Sequence, residues 1–358
     1  MKVNSTIPVL QALLAAALFG VSAPLSKLLL KDFDPIPLAA FLYLGSGLGS
    51  LLLYGVQRLQ NPGKNVETGL SRPDIPWLTG AILAGGVGAP ILLLLGLDRT
   101  PASTASLLLN FESVATALIA FLIFKEVADR RILAAVGLVT AAGILLSWTG
   151  GNWGFSLGAV GIIAACFLWG LDNNFTRQIS GKNPVLIVAI KGLGAGTFSL
   201  LLTLILGKNL PGVGVLALAM LVGAVSYGLS IQLFILALRG LGTARTGALF
   251  ATAPFVGTTL SLVLLREKPE ALFWAALPLM LVGAWLMVSE NHGHVHVHEY
   301  MQHSHAHQHN DEHHAHEHGV SEEPVGEANH AHLHTHRRVT HEHAHAPDLH
   351  HRHSHSDK

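Results

Sequence analysis

One feature constrains this chain more than any other: apolar runs of close to 20 residues recur along most of its length. They fall at 8–30, 37–57, 75–97, 102–124, 132–149, 157–180, 184–207, 212–238, 245–265 and 271–289. A hydrocarbon layer about 30 Å thick is crossed by about 20 residues of helix. Charges and helix breakers gather between the runs, at Lys31 to Pro35, Arg58 to Asp74, Asp98-Arg99, Lys125 to Arg131 and Arg266 to Glu270. Backbone polar groups in lipid must be paired internally, so only helices and closed barrels cross it. The alternating dyad of a barrel strand is absent. The reading is an all-α polytopic membrane protein with ten transmembrane helices. The first run is too long for a signal-peptide core and recurs inside the chain, so it is read as the first span.

The runs also repeat in order. Leu18-Phe19-Gly20 through Lys27 matches Leu168-Trp169-Gly170 through Arg177, and Gly45-Ser46-Gly47 matches Gly194-Ala195-Gly196. Pro35 matches Pro184, Leu97 matches Leu238, and Phe124-Lys125-Glu126 matches Leu265-Arg266-Glu267. The expected plan is therefore a first copy at 1–149, a hinge at 150–156 and a second copy at 157–291, followed by a tail at 292–358. An odd number of spans per copy makes the copies opposite in orientation, an inverted repeat of five helices each. In carriers built this way the substrate site lies near the bilayer midplane, between the repeats.

The duplicated motif (Phe19, Gly20, Lys27; Trp169, Gly170, Arg177), with Glu126 and Glu267 closing the fourth and ninth spans, resembles the EamA branch of the drug/metabolite transporter superfamily. The resemblance covers about residues 8–289. It implies ten helices, cytoplasmic termini, and export or exchange of small metabolites by alternating access, without naming a substrate. The second span departs from the pattern, with Leu42-Tyr43 where members often carry arginine; the second copy has Lys191. Independently of the resemblance, basic residues favour the cytoplasmic side. The N-terminus and even-numbered connections hold 11 Lys and Arg, the odd-numbered connections 5. Both termini are expected inside the cell, in a plasma or inner membrane.

Ionisable groups at membrane depth are costly and usually face a cavity or a partner. Glu112, beside Asn110, lies mid-span in the fourth helix; Asp172, Asn173 and Asn174 lie in the sixth, and Lys191 in the seventh. A spacing of four sets Asp172 beside Thr176 and Asn173 beside Arg177. Glu112, Asp172, Asn173, Lys191 and Asn110 are the candidates for binding substrate or a coupling proton, with Lys191 as counter-charge. A purely structural ion pair is the competing reading. Lys125-Glu126 and Arg266-Glu267 are read as helix-end anchors, and the glycine clusters Gly45-x-Gly47-x-Gly49, Gly85-Gly86-x-Gly88 and Gly192-x-Gly194-x-Gly196 as close-packing surfaces. No nucleophile–base pair, phosphate loop or dinucleotide fingerprint is present, so the chain is read as a non-enzyme with no cofactor in its body.

Net charge is formally zero, but that sum hides two different objects. Before residue 292 stand 18 basic and 12 acidic residues and no histidine; after it stand 4 basic, 10 acidic and all 23 histidines. No basic module points to nucleic acid. The histidines alternate with other residues: His292, His294, His296, His298, then His303, His305, His307, His309, then His330, His332, His334, His336, then His341, His343, His345. Imidazole with scattered carboxylates suits Zn²⁺, Ni²⁺, Co²⁺ or Cu²⁺. Low apolar content with Gly319, Pro324 and Pro347 predicts a disordered tail in the absence of metal. The tail reads as a metal buffer or sensor, as a pH sensor, or as a solvated segment with incidental metal affinity. The chain as a whole reads as a secondary-active transporter of a small metabolite whose cytosolic tail binds divalent metal. The alternatives are a divalent metal exporter fed by the tail, and membrane-tethered metal sequestration.

Overall fold

The computed structural model describes residues 6–60, 69–123, 130–148, 156–179, 182–288, 292–298, 301–307, 330–336 and 339–345. Among the described residues seven helices are long and apolar enough to cross a membrane: α1 (Thr6–Leu29), α2 (Pro35–Gln60), α3 (Arg72–Asp98), α4 (Ala102–Leu122), α6 (Leu157–Gln178), α7 (Pro184–Ile205) and α8 (Val213–Ala237, continuing to Phe250). Three further helices have shorter apolar stretches: α5 (Arg130–Ser147), α9 (Ala253–Leu264) and α10 (Ala271–Val288). The chain is an integral membrane protein.

Each start has a local cause. Pro35 and Pro184 open α2 and α7, where a missing N–H costs nothing. The Asn183 side chain accepts from the Leu186 amide at 3.1 Å, and that of Ser156 from the Ala159 amide at 3.4 Å. One connection differs from expectation. The sequence places a loop near 239–244, yet the helix runs from Ser230 to Phe250 and turns only at residues 251–252. The matching connection in the first copy contains Pro101, which blocks continuation; Gly242 stands there in the second and does not. The expected hinge 150–156 lies outside the described residues except for Ser156, as does the Lys125-Glu126 pair.

Helix contacts come in related sets. α1 packs on α8 and α3 on α6; α4 packs on α6 and α1 on α9; α2 meets α7, α4 meets α9, and α5 meets α10. Exchanging each helix for the one five later reproduces the same set. α2 and α7 run antiparallel, because Gly47 meets Leu193 while Gly196 meets Leu44. The Asp34–Lys208 ion pair, 3.2 Å, ties the start of α2 to the end of α7. Lipid tails are as apolar as leucine, so close packing rather than hydrophobicity holds such helices together. Here the approach is backbone to backbone. A Cβ on Gly45 would stand 2.0 Å from the Met220 carbonyl oxygen, and one on Gly223 would stand 1.8 Å from that of Leu42. α3 and α8 each contain a stretch of π-helix, Ile82–Gly88 and Ala224–Leu229, at corresponding places in the two copies.

In the tail the described segments are extended: β1 (His292–His298), β2 (Met301–His307), β3 (His330–His336) and β4 (Val339–His345). β1 pairs antiparallel with β4, and β2 with β3. Period-two alternation is the period of a strand. His309 lies outside the described residues.

The glycine contacts generate a stability test. Gly45→Ala and Gly223→Ala are each expected to destabilise the detergent-solubilised protein by about 1–3 kcal/mol through overpacking. Gly137→Ala, with open space at its Cβ position, is expected to be neutral or mildly stabilising. Thermal unfolding of the three variants checks the contrast.

Candidate substrate and coupling site

The polar cluster is built where α4, α6, α7 and α3 meet. α4 is interrupted at residues 109–110, and Glu112 sits in the first turn after the break. Its Oε1 accepts a hydrogen bond from Asn173 Nδ2 at 2.9 Å. The same amide lies 3.1 Å from Thr116 Oγ1, and the Thr116 hydroxyl donates to the Glu112 carbonyl at 2.8 Å. Next to Asn173, Asn174 is buried and donates to the Gly170 and Thr116 carbonyls, pinning α6 to α4. Asn173 itself is exposed and Glu112 half-buried, so this part of the cluster borders accessible space.

The residue before Asn173, Asp172, is buried at 7% exposure. Its Oδ1 receives Lys191 Nζ at 2.5 Å and the Thr176 hydroxyl at 2.8 Å. Lys191 Nζ also donates to Thr176 Oγ1 at 3.1 Å, closing a triangle. The other carboxylate oxygen packs on α3: a Cβ on Gly85 would stand 2.0 Å from Asp172 Oδ2, so only glycine fits. Gly85 lies in the π-helical stretch, and its carbonyl accepts from Tyr43 Oη at 2.8 Å and Trp169 Nε1 at 3.0 Å. π-helical turns often mark functional sites. Here the turn gives one carbonyl to two aromatic donors from different helices. Tyr43 continues into an aromatic group: Tyr43–Tyr227 at 5.6 Å, Phe19–Tyr227 at 5.9 Å and Phe19–Phe250 at 5.4 Å between ring centres.

Of the five candidates, the structure brings four together as two linked subsites, Glu112 with Asn173 and Asp172 with Lys191. Asn110 does not join them. Its amide donates to the Leu107 carbonyl at 2.9 Å and serves the break in α4. Asn173 turns toward Glu112. The sequence reading missed Thr116, Tyr43, Trp169 and Gly85 as participants. Thr116 was open to discovery, since it lies four residues after Glu112 on the same helical face.

Two other charged groups act at helix ends. Lys27 Nζ donates to the Leu97 and Asp98 carbonyls at the end of α3. Glu267 accepts from the Ala102 and Ser103 amides at 2.7 and 2.8 Å, at the start of α4. Among the described residues there is no group of three or more His, Cys, Asp and Glu able to bind a metal ion.

Comparison with known proteins agrees with this architecture. The model of the EamA-like transporter family matches twice, over residues 6–148 and 156–289. An uncharacterized transporter of Methanothermobacter thermautotrophicus is 29% identical over 289 residues, covering 76% of this chain and 83% of that protein. A solved crystal structure, 19% identical, shares the fold with a TM-score of 0.57 over 78% of this chain and 94% of the other.

The Asp172–Lys191 pair generates a double-variant test. Asp172→Asn and Lys191→Met each leave an uncompensated partner and are expected to cost about 3–5 kcal/mol. The combined variant is expected to recover much of that loss. Unfolding in detergent measures all three, and single variants no less stable than the double one would dissolve the coupling.

Proposed function

The chain belongs to the EamA-like transporter family, and from that premise we propose that it is a secondary-active carrier exporting or exchanging a small metabolite by alternating access. Its architecture in this reading is ten transmembrane helices in two inverted five-helix repeats. The double family match, the contact set that survives exchanging the halves, and the antiparallel α2–α7 pair all support it. The positive bias of the even-numbered connections supports cytoplasmic termini.

The observation that carries the site is the contrast between its two carboxylates. Asp172 is held by Lys191 and Thr176, a closed and charge-balanced set. The Glu112 carboxylate is met by the Asn173 amide and borders accessible space. In this reading Asp172 and Lys191 form the framework, while Glu112 exchanges partners. A proton and a hydrogen-bond-donating or cationic substrate group compete for it, which is the minimum needed to couple their movements. Asn173 holds the empty carboxylate in place between turnovers, and the aromatic group around Tyr43 and Tyr227 offers a wall for the apolar part of a substrate.

The cytosolic tail, residues 292–358, is the divalent-metal-binding part, with Zn²⁺, Ni²⁺, Co²⁺ or Cu²⁺ as candidate ions. The second reading, a metal exporter fed by this tail, draws on the 23 histidines. It is weaker because the body lacks histidine, has only Cys166, and that thiol is buried. Nitrogen and sulfur donors for a dehydrated transition metal are scarce along such a path.

Uptake into proteoliposomes of a metabolite panel, and of labelled Zn²⁺ and Ni²⁺, tests the readings with the full chain and with residues 292–358 deleted. The expected result is metabolite transport that survives deletion while losing its response to metal. Metal flux into vesicles would favour the exporter instead. Glu112→Gln is expected to abolish proton-driven accumulation while leaving the fold intact. Equal accumulation by variant and wild type would remove Glu112 from the coupling role.

A further inference from the structure

Three helical segments meet near the 99–101 connection with their polar residues turned inward. In α9 the buried residues are Ala253, Gly257, Thr258 and Ser261, while Val263 and Leu264 face outward. The first piece of α4, Ala102–Leu108, buries Ser103 and Ser106, and the end of α1, Ser22–Leu29, buries Ser22 and Ser26. All three helices converge on Gly257. A Cβ there would stand 2.6 Å from the Gly20 carbonyl oxygen of α1 and 2.9 Å from Ser106 Oγ of α4. Beside it, the Thr258 hydroxyl donates to the Ser103 carbonyl at 3.3 Å.

Close packing accounts for the small size of these residues, but alanine would pack as well as serine. The hydroxyls need another reason. A serine or threonine inside a helix commonly donates to a carbonyl of its own helix one turn back. Ser261 does so to Gly257 at 2.7 Å, and Thr259 to Phe255 at 2.8 Å. Ser26, Ser103 and Ser106, each at most 1% exposed, have no partner for Oγ among the described residues. A buried hydroxyl without a partner costs free energy. A surface carrying three of them is suited to contact with water.

Both ends of this seam have a definite character. Toward the midplane α4 breaks at 109–110, and beyond the break Glu112 borders accessible space. Toward the 99–101 connection the seam is closed by charge. Glu267, just past α9, accepts from the Ala102 and Ser103 amides, and Lys27, next to Ser26, donates to the Leu97 and Asp98 carbonyls. Ser103 is therefore gripped twice from the second half of the chain, through its amide by Glu267 and through its carbonyl by Thr258.

We propose that the seam between α1, α4 and α9 is the closed half of the transport path. Ser26, Ser103 and Ser106 bind water and the hydrogen-bonding groups of a passing substrate once the seam parts, and Lys27 and Glu267 are the latches that hold it shut. This rests on the reading of the chain as a carrier and adds the route and its closure. Small side chains let the three helices seal tightly, and the unpaired hydroxyls keep the sealed state from being too stable to open.

The seam is tested on the full chain in lipid nanodiscs, with a cationic methanethiosulfonate reagent as the probe. Single cysteines Ser26→Cys, Ser103→Cys and Thr258→Cys, each with Cys166→Ala, are expected to react slowly. Adding Glu267→Gln is expected to speed them about tenfold, as loss of a charge-assisted hydrogen bond implies. Native Cys166, buried on α6, is expected to stay unreactive in the Glu267→Gln chain. Unchanged rates at the seam, or a Cys166 that speeds up equally, would overturn the proposal. A second measurement leaves the latches intact. A disulfide between Ser103→Cys and Thr258→Cys is expected to stop uptake of the metabolites that the full chain carries from the panel, reversibly on reduction. Undiminished uptake with the seam cross-linked would also overturn the proposal while leaving the carrier reading standing. A full chain that carries no panel member would count against the carrier reading, and the labelling contrast alone would then decide whether the seam opens.

Discussion

Hydrocarbon offers a polypeptide no hydrogen bond, and nearly every feature of the body follows from that single refusal. Backbone groups pair within helices because nothing outside will accept them. Helices cannot be driven together by hydrophobicity, so they meet where side chains are smallest, with Gly45, Gly47, Gly192, Gly196 and Gly223 bringing carbonyls and amides of neighbouring helices to touching distance. Where a charge is unavoidable it acquires a partner. Asp172 has Lys191 and Thr176, Lys27 has two carbonyls at a helix end, and Glu267 has two amides at another.

The same refusal decides how much could be read without coordinates. Helix positions are written in run length, because crossing distance fixes the number of apolar residues. Asp172 beside Thr176 follows from a spacing of four on one helix, and Lys191 is the natural cation for a carboxylate at membrane depth. The contact of Glu112 with Asn173 joins residues 61 apart in sequence. It depends on how α4 crosses α6, which no periodicity encodes. Asn110 misled for a related reason, since its neighbour Glu112 belongs to the next helical piece and the chain turns between them. The π-helical stretch around Gly85 was illegible because it is defined by which carbonyl each amide reaches.

Body and tail divide chemistry between them with little overlap. The helical part keeps its few ionisable groups paired or poised and carries no histidine. The tail concentrates all 23 histidines together with 10 acidic residues. In the reading proposed above, a metal signal and a transported metabolite are handled by one chain without competing for the same donors.

The antiparallel meeting of α2 with α7 has a consequence for descent. An interface between equivalent surfaces is isologous in kind, so a lone half would carry what it needs to pair with a copy of itself. Such a pair must place identical residues on both sides of its axis. Once the halves are joined, that obligation ends. By the offsets of the internal repeat, Glu112 answers to Ala253 and Asp172 to Ser22. Two copies joined in one chain can therefore differ in chemistry at matching positions.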